Sequence, residues 1–133
     1  MIEKIDHVAM VVRDTDEIKE LFSRLFGFET GDVLTDSETG FKSTMITKSA
    51  VTLELIEPIN PEGTIQKFLE KRGGGLHHIS ILVPDLAEEM KRLREKGVEF
   101  VSNEPIQVNP TSKVVFIHPR STNGLLIELS QKD

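Results

Sequence analysis

Two histidines and two glutamates recur at matched places in two halves of this chain: His7 and Glu54 in the first, His78 and Glu128 in the second. Two imidazole nitrogens and two carboxylate oxygens make a mixed donor set suited to a borderline divalent ion such as Co²⁺, Ni²⁺, Zn²⁺ or Mn²⁺. An octahedral ion so held keeps positions open for substrate or water, the mark of a catalytic rather than a structural site. Each of the four sits in apolar company. A strand points alternate side chains to opposite faces, which puts His7 with Ile5, Ala9 and Val11, and Glu54 with Thr52 and Ile56; Glu128 is flanked by Ile127 and Leu129. A carboxylate buried there without compensation costs several kcal/mol, about 2–7 for a polar group and more for a charge, and one ion would satisfy all four residues together. A single histidine in a strand is more often a hydrogen-bonded core residue than a ligand; recurrence at repeat positions is what lifts these above that reading.

The repeat sets the architecture. Ile5 to Asp14, I-D-H-V-A-M-V-V-R-D, aligns with Leu76 to Asp85, L-H-H-I-S-I-L-V-P-D, at the His7-to-His78 offset of 71, and the glutamates of T-L-E-L-I and L-I-E-L-S stand 74 apart. In the first half, Ile5 to Val12 reads as a buried strand. Asp14 then supplies a helix N-cap with Glu17 as capping-box partner, and Ile18, Leu21, Phe22, Leu25 and Phe26 form an apolar stripe closed by Gly27. Strands follow at Phe28–Thr35, Phe41–Thr47 and Val51–Glu57, with a polar turn at Asp36–Gly40 and a tight one at Lys48–Ala50. Beyond the breaker-rich Pro58–Gly63 connector, Ile65, Phe68 and Leu69 mark a short helix ending in Gly73-Gly74-Gly75. The second half repeats the order: strand Leu76–Val83, helix Asp85–Lys96 with Leu86, Met90 and Leu93 inward, then strands near Val98–Ser102, Lys113–His118 and Leu125–Ser130, with Asn123-Gly124 as a hairpin signal. The expectation is an α+β fold, βαβββ twice, forming one domain over 1–133 with modules at about 1–60 and 75–133 joined by a helix at about 62–72.

Composition narrows the partners. The net charge of −6, with few aromatics and no arginine-rich stripe, argues against nucleic acid as the main partner. The absence of cysteine removes disulfide and thiolate chemistry. No apolar run approaches the roughly 20 residues of a membrane span, and no basic segment followed by an apolar run opens the chain, so the expectation is a soluble cytoplasmic protein. His77 must point away from the face of His78 and reads as structural. His118, in F-I-H-P-R, reads as a cap first and as a ligand-orienting group second. The charged stretch Glu88–Lys96 reads as the solvated face of a helix.

The doubled βαβββ pattern with these His and Glu residues resembles the vicinal oxygen chelate (glyoxalase/bleomycin resistance/dioxygenase) superfamily, and within it most strongly the methylmalonyl-CoA epimerases. The likeness runs through I-D-H-V-A at Ile5–Ala9, L-E-L-I-E-P at Leu53–Pro58, T-I-Q-K-F-L-E-K-R-G-G-G-L-H-H-I at Thr64–Ile79, F-I-H-P-R-S at Phe116–Ser121 and G-L-L-I-E-L at Gly124–Leu129. The joint helix running into Leu76-His77-His78 and the His118-Pro119 segment are the parts more particular to the epimerases.

The resemblance implies paired modules whose mixed sheet curls round a metal in a cup, a homodimer, and His7, Glu54, His78 and Glu128 as ligands of a divalent ion, Co²⁺ favoured. It implies a 1,1-proton transfer that interconverts the epimers of methylmalonyl-CoA through a metal-stabilised enolate; where the glutamate base of some epimerases is missing, either Glu128 does double duty in the catalysis, another group or a water relays the proton, or the substrate differs. The partner implied is thus a small acyl-CoA. Two segments depart from the epimerase pattern. Gly40–Met45, G-F-K-S-T-M, holds Ser43 where some epimerases carry a glutamate base, and Gln107–Lys113 replaces a glycine-rich loop with one stiffened by Asn109 and Pro110. Lys113, Arg120, Lys71 and Arg72 are candidates for the coenzyme A phosphates by charge alone. The alternatives are a glyoxalase I-type lactoylglutathione lyase, which shares a His, Glu, His, Glu set, and a metal-free small-molecule binding protein of the same fold. Extradiol dioxygenases, with a two-His, one-carboxylate iron site from a single module, fit the paired set less well.

Overall fold

The computed structural model describes residues 2–36 and 40–133. Among the described residues the elements run β1 (Lys4–Val11), α1 (Thr15–Phe26), β2 (Glu29–Asp36), β3 (Phe41–Lys48), β4 (Val51–Pro58), α2 (Thr64–Arg72), β5 (Gly75–Leu82), α3 (Leu86–Glu95), β6 (Ile106–Asn109), β7 (Ser112–Ile117), a 3-10 turn (Pro119–Ser121) and β8 (Ile127–Lys132). This is a mixed α+β chain with βαβββ order in each half. None of the described helices is long and apolar enough to cross a membrane.

The chain divides into two compact units, one of His7–His77 and the other of His78–Asp133 with the opening residues through Asp6. In the first unit the strand order is β2-β3-β4-β1, with β1 parallel to β4 and the other neighbours antiparallel. Asp14 caps α1 as its position foretold, its side chain accepting from the Asp16 and Glu17 N–H groups, and Gly27 closes the helix at φ 72°. The amphipathic stripe is narrower than expected: Leu25 and Phe26 are exposed, while Phe22 packs edge-on to Phe26 and Phe28. α1 packs on the sheet face that carries Thr44, Ile46 and Leu55, all buried. Glu57 fixes that helix, its Oε1 accepting from the Thr15 backbone N–H at 2.8 Å and the Thr15 hydroxyl at 3.3 Å. The opposite face buries Ala9, Val11 and Ile56 against Ile65 and Leu69 of α2.

Two irregularities shape the first unit. The Lys48–Ala50 turn closes with Lys48 opposite Val51 and Ser49 at φ 54°, which sets Met45 opposite Glu54 and Ser43 opposite Ile56. Between Thr30 and Val33, β2 shifts register in a bulge, and the buried Thr44 hydroxyl donates towards the Gly31 and Asp32 carbonyls.

In the second unit the order is β5-β8-β7-β6, with β5 parallel to β8. Asp85 caps α3 through the Glu88 N–H, and α3 covers one face with Leu86 and Met90 packed on Val83, Val115, Ile117 and Leu129. One strand expectation is corrected. Val98–Ser102 forms only an isolated bridge, Phe100 with Ile117, and the strand beside β7 is Ile106–Asn109, a segment read from sequence as part of a loop. The Phe100 side chain packs on the α3 core, so its apolar character serves burial rather than a ladder. Asn123 and Gly124 do take positive φ, 56° and 88°, but in a longer connection that includes the 3-10 turn rather than in a two-residue hairpin.

Candidate metal centre

Glu54 stands on β4 with Ala9 of β1 as its parallel partner and Met45 of β3 as its antiparallel one, so all three side chains share the face of α2. His7 lies two residues before Ala9 and therefore on that face. Its Nε2 is 3.5 Å from Glu54 Oε1, with side-chain exposures of 8% for His7 and 16% for Glu54. The first unit thus brings its predicted histidine and glutamate together.

The second unit holds the matching residues on the face away from α3. Glu128 of β8 pairs in register with Ser80 of β5 and Phe116 of β7, and His78 lies two residues before Ser80. His78 and Glu128 are each 8% exposed, and the His78 ring meets Phe116 edge-on at 5.4 Å. Beyond them, Ser80 Oγ donates to Ser130 Oγ at 3.2 Å, so the floor is polar where the first unit has Ala9 and Ile56. In the first unit, His7 and Glu54 thus offer two donor atoms compatible with a divalent metal.

The neighbouring residues have visible occupations. His77 stands edge-on to Phe68 at 4.9 Å, and the Arg72 guanidinium lies over that same ring. Burial pushes the His77 imidazole below its ordinary pKa, with Glu54 pulling it up and Arg72 adding to the depression. His118 caps the 3-10 turn, its Nδ1 accepting from the Arg120 N–H at 3.2 Å. Arg120, a candidate for phosphate contact by charge, pairs with Glu99 at 2.7 Å. The Asn109-Pro110 tip is tied down: Asn109 Oδ1 accepts from the Thr111 N–H and hydroxyl, and Gln107 Nε2 donates to the Asn109 and Ser112 carbonyls. Ser43 is half-buried on the face of Glu54. Met45, opposite Glu54 and 38% exposed, holds a place on this face that sequence reasoning missed. The signal was the length of the Lys48–Ala50 turn, since a slip of one residue would send Met45 to the other face.

Residues 6–116 match the model of the Glyoxalase/Bleomycin resistance protein/Dioxygenase superfamily. The chain belongs to that superfamily. Its relatives in the superfamily include the Ethylmalonyl-CoA/methylmalonyl-CoA epimerase of Cereibacter sphaeroides, 32% identical over 98% of this chain and 99% of the relative. Among solved structures, the methylmalonyl-CoA epimerase of Mycobacterium tuberculosis superposes with a TM-score of 0.91 at 30% identity, covering 99% of this chain and 89% of that one. A variant of the Streptomyces coelicolor methylmalonyl-CoA epimerase, in complex with 2-nitronate-propionyl-CoA, gives 0.88 at 29% identity over 99% of each chain. The fold is therefore glyoxalase-like, and the chain is epimerase-like within the superfamily, in the racemase and epimerase group of isomerases.

Proposed function

We propose that this chain is a metal-dependent epimerase of methylmalonyl-CoA, with His7, Glu54, His78 and Glu128 as the ligands of one divalent ion, Co²⁺ favoured. The observation that carries the reading is the recurrence, in each half, of a buried histidine and a buried or half-buried glutamate on one sheet face. The donor set fits such an ion: two imidazoles and two carboxylates suit Co²⁺, Ni²⁺, Zn²⁺ or Mn²⁺, and buried carboxylates call for compensating positive charge. Full-length likeness to epimerases, one of them solved with an acyl-CoA compound, supports the substrate class. Homodimeric assembly and a cytoplasmic setting belong to the same reading.

The ion, when bound, would act as a Lewis acid towards the substrate's thioester and carboxylate oxygens and favour loss of the proton between them. Glu128 is assigned the transfer on one face: the α-carbon–hydrogen bond breaks, the proton passes to its carboxylate, and the electron pair delocalises towards the thioester carbonyl. A proton returned to the opposite face gives the other epimer, with no net change in atoms. Ser43 is one hydroxyl on the Glu54 face of β3. A serine hydroxyl holds no exchangeable charge at neutral pH but passes a proton from water, so the returned proton is assigned to solvent.

The test is proton NMR of methylmalonyl-CoA in deuterated water with Co²⁺-loaded protein. The α-proton signal is expected to disappear with formation of both epimers; no exchange above the no-protein control overturns the proposal. Ser43 favours one second reading, glyoxalase I-type chemistry, in which a proton moves between adjacent carbons and one base suffices. Turnover of methylglyoxal plus glutathione by the metal-loaded protein, without exchange on the thioester, would select it.

A further inference from the structure

We infer that Met45 sizes the α-substituent of the substrate and so sets which 2-alkylmalonyl thioesters are accepted. The inference rests on the epimerase reading, because it takes Glu54 to mark where the reacting carbon is held.

In-register partners on adjacent strands carry Cβ atoms about 4.5–5.5 Å apart on the same face, so Ala9 and Met45 are the side chains that flank Glu54. Ala9 is 0% exposed, sealed in the cluster beneath α2, and offers a ligand nothing. Along β4 itself the next residue on that face, Ile56, is buried in the same cluster. On the β1 side, His7 closes on Glu54. Met45 is 38% exposed, a large apolar side chain open on a face whose neighbours are buried or polar.

The backbone around Met45 is built to hold it there. The β2 bulge lies beside it, and a side chain at Gly31 would meet the Met45 carbonyl oxygen at 2.9 Å, so the two strands approach closely at this point. The Thr44 hydroxyl, on the other face, holds the two bulge carbonyls. Bulges re-aim the side chains near them, and this one fixes the residue beside Glu54. Next along the same face is Ser43, short enough to leave space beside the thioether. A substrate with two oxygens near Glu54 must direct its third α-carbon substituent at some wall, and the thioether is the open apolar surface at that level of the sheet. Methionine is unbranched and adaptable, so the wild-type chain should tolerate more than one alkyl length.

The experiment measures kcat/KM for α-proton exchange in deuterated water on methylmalonyl-CoA and ethylmalonyl-CoA, side by side, with Co²⁺-loaded protein. One methylene in an apolar pocket is worth about 10–200-fold in discrimination. Met45→Ala is expected to raise the ethyl-to-methyl ratio by about 10-fold, Met45→Phe to lower it by a similar factor, and Met45→Leu, close in volume, to leave it within about 3-fold. Because the readout is a ratio within each protein, partial loss of folded enzyme does not imitate the effect. Exchange by all four proteins with one common ratio overturns the inference alone. Absence of exchange by the wild-type protein on either thioester overturns the epimerase reading and the inference with it.

Discussion

His7 Nε2 and Glu54 Oε1 face each other at 3.5 Å across two parallel strands, on the face that the joint helix α2 packs against. The separation is long for a charge-assisted hydrogen bond of about 2.7–2.9 Å, and the proposed reading makes both atoms ligands of one ion. Glu54→Gln and His7→Ala are each expected to weaken Co²⁺ binding by about 100-fold or more, beyond the 10–100-fold typical of residues that only support ligands. Titration of the apoprotein with Co²⁺, followed by d–d absorbance, checks this. Unchanged isotherms in both variants would remove these two residues from the proposed ligand set.

Glu57 is expected to hold α1 to its sheet. Its carboxylate receives the Thr15 N–H and hydroxyl and pairs with Lys42 at 3.2 Å, while Thr15 itself is fully buried. Glu57→Ala leaves the Thr15 donors without that acceptor and should cost about 2 kcal/mol. Lys42→Met, which removes only a partly exposed ion pair, should cost less than about 1 kcal/mol. Urea midpoints at constant m-value would show the difference.

Glu89 gives the chain an acid-sensitive contribution. It is 3% exposed on α3, and the Arg92 guanidinium holds its carboxyl down to about 2 from an ordinary 4.5. A carboxylate depressed in the folded state adds stability that is fully present above its ordinary pKa and drains away as pH falls from about 4.5 to about 2. Arg92 is 45% exposed, so screening reduces the contribution to about 1 kcal/mol. Glu89→Gln should therefore lose about that much at pH 7, and the gap to wild type should close as pH approaches 2. A constant gap across that range in thermal melts would count against the assignment.

Gly74 and Gly75 should respond differently to the same substitution. Both have positive φ, 98° and 105°, so alanine at either strains the backbone by about 1–3 kcal/mol. A Cβ at Gly74 would also meet the Val11 carbonyl oxygen at 2.9 Å, whereas nothing lies within 4 Å of one at Gly75. Gly74→Ala is expected to be the more destabilising of the two by about 1 kcal/mol or more, measured by denaturant unfolding.

Much of this was legible in the residues. Asp14 caps its helix as its position requires, Gly27 takes the left-handed end of α1, and the doubled His and Glu pattern falls on the strands expected of it. What escaped were features decided by the partner strand. Val98–Ser102 and Ile106–Asn109 both alternate enough to be strands, and only the choice of neighbour for β7 separates them; Phe100 chose the α3 core instead. Met45 lacked a sequence signal of its own because its place beside Glu54 comes from the register fixed at Ser49. The α1 stripe was overextended at Leu25 and Phe26, where periodicity continues past the area of sheet the helix covers.

The serine pair Ser80 and Ser130 occupies repeat positions that in the first half belong to Ala9 and Ile56. The two copies have thus parted in what they build beside the same histidine and glutamate: one has an oily floor roofed by a helix, the other a hydroxylic one. Transplanting Ala9 and Ile56 into the second half would remove the hydrogen bond between two buried hydroxyls, and transplanting the serines into the first would lodge hydroxyls under Leu69. The halves are no longer interchangeable parts.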